Sequence, residues 1–194
     1  NEFYEHPSMP EGAEDGILKG LYRLKPAENG QPQVTLLGSG AILNEAIKAQ
    51  QILQSTYGVA AEVWSVTSYK ELYLDGIETD RFNRLHPDQS KKTYLQQCFE
   101  GRENIFVAAS DYVKALPCSI AKWLPGKLVA LGTDGFGRSD TRAALRSYFE
   151  VDANHIVLSA LRTLADEGKI DASVAAKALA ELDINPDKIS PLSV

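Results

Sequence analysis

Gln33-Val34-Thr35-Leu36-Leu37-Gly38-Ser39-Gly40 is followed by Ile42, Ala46, Ala49 and Leu53, and then by Ala60-Ala61-Glu62-Val63-Trp64-Ser65-Val66. The run from Gln33 to Leu37 reads as a buried strand that ends in a glycine turn. Residues 42, 46, 49 and 53 recur on one helical face, and Gly58 supplies the left-handed stop that ends many helices. The second apolar run is then the next strand, which a helical crossover places parallel to the first. This strand–helix–strand unit decides the fold class as α/β.

Upstream, Gly20-Leu21-Tyr22-Arg23-Leu24-Lys25 alternates as a strand does, and Pro26 with Asn29-Gly30 supplies turn chemistry, which predicts a first hairpin or edge element. Residues 1–16 carry five acids (Glu2, Glu5, Glu11, Glu14, Asp15) and no Lys or Arg, with Pro7, Pro10 and Gly12 breaking any period, so an irregular lead-in is expected there. Downstream, Ser68 caps a helix that runs to Leu85, is weakened at Gly76 and stops at Pro87; a polar stretch, Asp88 to Lys92, follows. Asn104 to Ala109 is a third buried strand. A short helix around Tyr112 to Trp123 must start, kink or break at Pro117.

Lys127 to Leu131 is a fourth core strand, after which Gly132 to Arg138 forms a glycine-rich loop and Ser139-Asp140-Thr141 opens a helix with Leu145, Tyr148 and Phe149 on one face. Asp152 caps a helix that turns Val157, Leu161 and Leu164 inward and ends at Gly168. Asp171 caps another with Val174, Ala178 and Leu182. Strand signals cease after residue 131. The alternation predicts a three-layer α/β/α sandwich, mostly parallel, with a helical tail packed at one end and no internal repeat.

Composition agrees with a folded domain. The 194 residues are 44% hydrophobic and 24% charged, enough for one real core. Twenty basic against twenty-six acidic residues leave a formal charge of -6, which disfavours nucleic acid and anionic lipid as partners. A long uncharged run, Gln31 to Asn44, is broken by Pro32, Gly38 and Gly40 and falls short of the roughly 20 apolar residues a bilayer span needs. The amino terminus has neither the basic nor the apolar region of a secretory signal. Two cysteines, Cys98 and Cys118, make neither a zinc knuckle nor a disulfide framework, so a reducing compartment, the cytoplasm, is expected. The chain starts at Asn1 and its one methionine is Met9, the pattern expected of part of a longer polypeptide.

Candidate chemistry is sparse. Gly38-Ser39-Gly40 stands where a dinucleotide fold puts its phosphate loop, but the third glycine position is Leu43, whose side chain obstructs close helix approach; a tight turn, with at most a weak anion site, is expected. Gly132-Thr133-Asp134-Gly135-Phe136-Gly137-Arg138-Ser139 is the most unusual segment. It sets three glycines, a carboxylate, a guanidinium and an aromatic at the carboxyl end of a strand, where open α/β sheets engage ligands or partners. We read it as an ordered contact loop, because Phe136 is costly to leave in water.

His6, His86 and His155 lack metal-ligand spacing; His155 falls about 200° around the helix from Val157, which points it to solvent or a partner. Ser39, Ser110 and Ser119 lack the Gly-x-Ser-x-Gly elbow, and both cysteines read as small buried fillers. No catalytic constellation assembles, and no metal, cofactor or catalytic residue is assigned.

The stretches Met9 to Ile17, Leu36 to Leu43, Trp64 to Ser68 and Leu131 to Asp140 together resemble the carboxyl-terminal domain of the homodimeric, thiamine diphosphate-dependent pyruvate dehydrogenases, and the likeness continues through Phe149 to Ala153. The wider relation is to transketolases, whose last domain has a similar Gly-Asp-x-Phe-Gly-x-Ser loop; Asp134, Phe136, Gly137 and Ser139 fit it. The resemblance implies a five-stranded mixed sheet with one antiparallel edge, for which Gly20 to Lys25 is the candidate, and a domain spanning 20–194 after a lead-in, 1–19, from the preceding domain.

It further implies a parent enzyme that decarboxylates pyruvate on thiamine diphosphate and Mg2+ and passes the acetyl unit to a lipoyl group of the dihydrolipoamide acetyltransferase component. The parent's cofactor lies between two other domains. Its Gly-Asp-Gly motif is not matched at Asp15, Asp75 or Asp134, which follow Glu14, Leu74 and Thr133. This chain is therefore expected to carry no catalysis and no cofactor of its own. Its expected role is packing and dimer contacts, with Gly132, Thr133, Asp134, Phe136, Gly137, Arg138 and Ser139 as the interface loop. A different reading is a small-anion or nucleotide module built on the glycine turns at Gly38 and Gly132.

Overall fold

The computed structural model describes residues 7–28 and 30–193; the readings that involve Glu2, Glu5, His6 and Asn29 lie outside them. In chain order the elements are α1 (Glu14–Lys19), β1 (Leu21–Lys25), β2 (Val34–Gly38), α2 (Leu43–Tyr57), β3 (Ala61–Val66), α3 (Tyr69–Leu85), α4 (Tyr94–Cys98), β4 (Ile105–Ala109), α5 (Ala115–Cys118), β5 (Leu128–Leu131), α6 (Arg142–Tyr148), α7 (Ala153–Asp166) and α8 (Ala172–Glu181), with short 3-10 turns between some of them.

The five strands form one sheet in the order β1-β3-β2-β4-β5. β2 pairs in parallel with both β3 and β4, which sets Leu36 between Val63 and Val107. β5 extends the parallel set beside β4, and β1 runs antiparallel along β3 as the edge strand expected of Gly20 to Lys25.

Because side chains alternate across a strand, each strand feeds both layers. Val34, Leu36, Val63, Ile105 and Val107 meet Ala46, Ala49 and Leu53 of α2, Ile156, Val157, Ala160, Leu161 and Leu164 of α7 and Ala178 of α8. Leu37, Trp64, Val66, Phe106 and Ala108 meet Tyr69 and Leu72 of α3, Leu95 of α4, and Ile120 and Trp123. The layer arrangement is thus the three-layer sandwich, and the tail helices close one face of it.

Caps fall where the short polar residues stand. Ser68 Oγ accepts the Glu71 N–H, Thr141 Oγ1 the Ala144 N–H, Asp152 the His155 N–H and Asp171 the Ser173 N–H.

Three local expectations need correction. The lead-in is not irregular throughout, since Glu14–Lys19 is helical with its acids in the first turn and Lys19 in the last. α4 lies in a stretch given no element by apolar period, and a reciprocal Thr93–Gln96 capping box starts it. The helix around Pro117 is only Ala115–Cys118, followed by a 3-10 turn at Ala121–Trp123; Pro117 sits in its first turn, where a missing N–H costs nothing. Among the described residues no helix is long and apolar enough to cross a membrane.

Gly76 is a packing position. A Cβ there would stand only 2.4 Å from the Trp123 ring, which also donates its Nε1–H to Asp80 Oδ1 at 3.1 Å. Gly76→Ala is therefore expected to destabilise by about 1–3 kcal/mol through overpacking, although alanine is the better helix former. A lowered urea midpoint at unchanged slope would report it; an unchanged or raised midpoint would refute it.

Candidate functional site

The carboxyl ends of the parallel strands bring three loops together: those after β2, β4 and β5. Backbone bonds stitch them, Ser39 N–H to Ala109 O at 3.2 Å, Ser110 N–H to Leu131 O at 3.2 Å and Thr133 N–H to Tyr112 O at 2.9 Å. Gly132 permits the last approach, because a Cβ would stand 2.5 Å from the Tyr112 carbonyl oxygen. Gly38 does the same for the other turn. A Cβ there would meet Leu43 at 2.8 Å, so Leu43 does not hold the helix off but packs its first turn directly on the strand. Both glycines thus close backbone gaps rather than open an anion cradle.

The loop singled out in the sequence has a fixed base and an open tip. Asp134 Oδ1 accepts the Lys114 N–H at 2.9 Å and Oδ2 pairs with Lys114 Nζ at 3.1 Å. The Lys114 N–H first, and then its ammonium, hold the Asp134 carboxyl below the usual aspartate range. Beyond it Gly135 turns with positive φ, and Phe136 is 93% exposed, with Gly137, Arg138 and Ser139 also in water. The energetic case for an anchored Phe136 is therefore not met by the chain's own described residues.

Other candidates have local duties. His86 Nδ1 lies 3.0 Å from Phe82 O with its ring stacked on Phe82. Of the two directions expected for His155, solvent or a partner, the first does not hold: its Nδ1 is 2.7 Å from Asp152 Oδ1 and its side chain is 13% exposed. Burial raises the Asp152 carboxyl, but hydrogen bonds from the His155 ring and backbone outweigh it and the net shift is downward.

Ser39 Oγ donates to Val66 O, Ser119 Oγ donates to Leu116 O, and Ser110 Oγ accepts the Tyr112 N–H. Cys98 is half-buried, and burial pushes its thiol up; Cys118 is exposed, not the buried filler expected. Among the described residues no group of three or more His, Cys, Asp or Glu could hold a metal.

A cavity of about 420 Å3 opens between the three loops and α6, walled by Asp111, Arg138, Arg142, Arg146, Leu145 and Phe149 among others. Arg142 and Arg146 are one turn apart on α6, and Arg138 precedes them in the loop, a spacing that the sequence displays. Arg146 Nη1 reaches Glu45 Oε1 at 2.9 Å, and Glu45 Oε2 accepts the Ala153 N–H at 3.1 Å.

Because the Asp134 pKa is depressed on folding, its contribution is complete above the ordinary value of 3.8 and is lost as pH falls through the lower folded value. Exchange protection of the Lys114 amide should follow that course in the native protein and be reduced at every pH in Asp134→Ala. Protection in Asp134→Ala equal to the native level would refute the anchoring role.

Residues 20–152 match the family described as the Transketolase-like TK C-terminal domain. Over 195 residues the chain is 47% identical to a pyruvate dehydrogenase E1 component of Pseudomonas aeruginosa, covering 99% of this chain and 22% of that protein. To the pyruvate dehydrogenase E1 component of Escherichia coli K12 it is 45% identical over 193 residues, 98% of this chain and 22% of the relative.

The chain thus spans about a fifth of the length of these relatives. Among solved structures it superposes on a transketolase of Leishmania mexicana with a TM-score of 0.53 at 20% identity, over 79% of this chain and 19% of that one. A Pichia stipitis transketolase in complex with sedoheptulose 7-phosphate gives 0.54 at 17%, with the same coverages. The five-stranded mixed sheet, its helical layers and the matched span make this chain a member of the Transketolase-like TK C-terminal domain family.

Proposed function

We propose that this chain is the carboxyl-terminal assembly domain of a homodimeric pyruvate dehydrogenase first component, with residues 20–194 as the domain and 1–19 as the lead-in from the domain before it. The likeness to the E1 components over 99% of this chain and 22% of the relative carries the parentage. In the whole enzyme, thiamine diphosphate and Mg2+ would supply the decarboxylation chemistry, and the acetyl unit would pass to the dihydrolipoamide acetyltransferase component. The two free thiols, Cys98 and Cys118, suit a cytoplasmic setting.

This chain's own residues do not fit the cofactor. Asp75 Oδ2 accepts the Tyr94 N–H at 2.6 Å, Asp134 is taken up by Lys114, and Asp15 lies in the first turn of α1. The Asp-Gly pairs are thus built into local structure.

The exposure of Phe136 supports the docking role. A phenyl ring held in water by a loop with a fixed base is stabilised only when another surface covers it, which is worth roughly 1.5–3 kcal/mol. Gly132, Thr133 and Asp134 set the loop's direction, and Phe136, Gly137, Arg138 and Ser139 present its contact face. The neighbouring domains of the same polypeptide and its dimer partner are the surfaces that loop would meet.

Phe136→Ala in the full-length enzyme should weaken dimerisation or domain docking by roughly tenfold to a hundredfold, read by sedimentation equilibrium and limited proteolysis. Unchanged assembly, proteolysis and activity would refute the role. The 194-residue chain alone, given pyruvate, thiamine diphosphate and Mg2+, should show no turnover, and measurable decarboxylation would overturn the assignment.

A further inference from the structure

Among the described residues, Glu150 and Asp183 are the two other than glycine with positive φ, 61° and 53°, and each stands just past the end of a helix. At Glu150 the backbone closes α6 with paired bonds, Glu150 N–H to Ser147 O at 3.3 Å and Val151 N–H to Arg146 O at 2.9 Å. Glycine ordinarily fills the left-handed position of such a terminus. A glutamate there brings a Cβ into backbone that L residues avoid and sets a negative charge at the negative end of the helix dipole. α6 has no buried residue with which to hold that conformation itself.

The hold comes from Lys188. Its ammonium donates to Ser147 O at 2.7 Å and Tyr148 O at 2.9 Å and pairs with Glu150 Oε1 at 3.2 Å, three acceptors for three N–H groups. It thus meets two of the carbonyls that a helix end leaves open, together with the carboxylate that the dipole opposes. The segment that delivers it is ordered in its own right. Asn154 Nδ2 of α7 donates to Leu182 O, Asp183 turns the chain at the end of α8, and Ile184 packs on the core shared by α2, α7 and α8. Asn185-Pro186-Asp187-Lys188 then makes a tight turn, in which Asn185 Oδ1 accepts the Asp187 N–H at 2.9 Å and Asn185 O the Lys188 N–H at 3.3 Å. Tyr148 extends the connection to the loop before α6. Its ring centre is 5.9 Å from Lys188 Nζ and 5.8 Å from the Arg138 guanidinium carbon, both within cation–π range.

We propose that residues 183–188 form a latch, in which Lys188 keeps Glu150 left-handed and α6 seated and, through Tyr148, restrains Arg138 of the 132–139 loop. Opening exchanges the three ammonium contacts for water and lets Glu150 relax to ordinary backbone, which frees α6 while the sheet and α7 stay folded. Glu150 and Lys188 are partly exposed, so salt screens their pair, whereas Arg146 and Glu45, another tie of α6, are largely out of water and are screened less. The latch therefore responds to ionic strength. It does not depend on the docking role of Phe136, so each can fail without the other.

Hydrogen-exchange mass spectrometry on the full-length protein tests it, with peptides covering 142–151 read against peptides covering 156–166 of α7. Lys188→Met keeps the apolar stem and removes the donors; it should speed exchange in 142–151 at least about fivefold and leave 156–166 within about twofold of native. Adding Glu150→Gly, which takes away both the Cβ and the carboxylate, should return 142–151 to within about twofold of native. In the native protein 142–151 should exchange faster at about 1 M salt than at about 0.05 M, and in Lys188→Met it should not. Native exchange in Lys188→Met, equal loss over 156–166, no rescue by Glu150→Gly, or the same salt response in both proteins would overturn the latch.

Discussion

The carboxylate of Glu45 ties together parts of the molecule that the sheet alone does not organise. It is 5% exposed on α2, and it receives Arg146 of α6, Lys48 of its own helix and the first N–H of α7. A buried charge left without partners costs about 3–5 kcal/mol, so the three donors are obligatory once α2 has packed. The N–H of Ala153 is one of the donors that a helix start leaves unpaired, and a carboxylate there also meets the positive end of the helix dipole. Asp152 satisfies a second donor two residues on, so the entry to α7 is held by two acids, one from its own cap and one from across the core. Through Arg146 the same carboxylate fixes the orientation of α6, and with it one wall of the crevice at the sheet edge.

A second buried carboxylate works at the opposite end of the strands. Glu62, 1% exposed, accepts from Thr35 Oγ1 at 2.9 Å and pairs with Arg102, while Asn104 donates to Thr35 at 3.0 Å. These residues point into the same layer as Leu37, Trp64 and Phe106, and the aromatic ring pairs Trp64–Phe99 and Phe99–Phe106 lie just beyond them. The polar network marks the register of β2 against β3, because a one-residue slip would carry Glu62 to the other face and strand it among aliphatic side chains.

How much of this was legible follows from which interactions are local. The strands were read from continuous apolar runs, and the edge at β1 from alternation, because a strand's burial is written in its own residues. The starts of α3, α7 and α8 were read because Ser68, Asp152 and Asp171 bond backbone three residues or fewer away. α4 has no apolar period to announce it, and its one local signal is the capping box of Thr93 and Gln96. The solvent-facing direction fails for His155 because helical-wheel angles ignore the fold-back of first-turn side chains onto the cap. Gly76 under Trp123, and Glu45 under Arg146, join residues 47 and 101 positions apart, and no spacing rule reaches that far.

The unevenness of burial then gives the molecule a direction. Every residue of β2 is buried, whereas every residue of β5 is only half-buried and α6 has no buried residue at all. An outer parallel strand exposes unpaired backbone groups along its free side, which folded proteins cover or blunt. β1 closes the opposite edge by antiparallel pairing to β3, and α1 follows directly into it. Among the described residues, the side with β5, the open tip of the 132–139 loop and α6 thus has the least structure over it. Phe136 projects from that side, and Arg138, Arg142 and Arg146 line the crevice next to it. The same incomplete cover leaves the loop tip and the crevice side by side, with Gly137 and Arg138 of the tip lining the crevice and Asp134 fixing the base on which both stand.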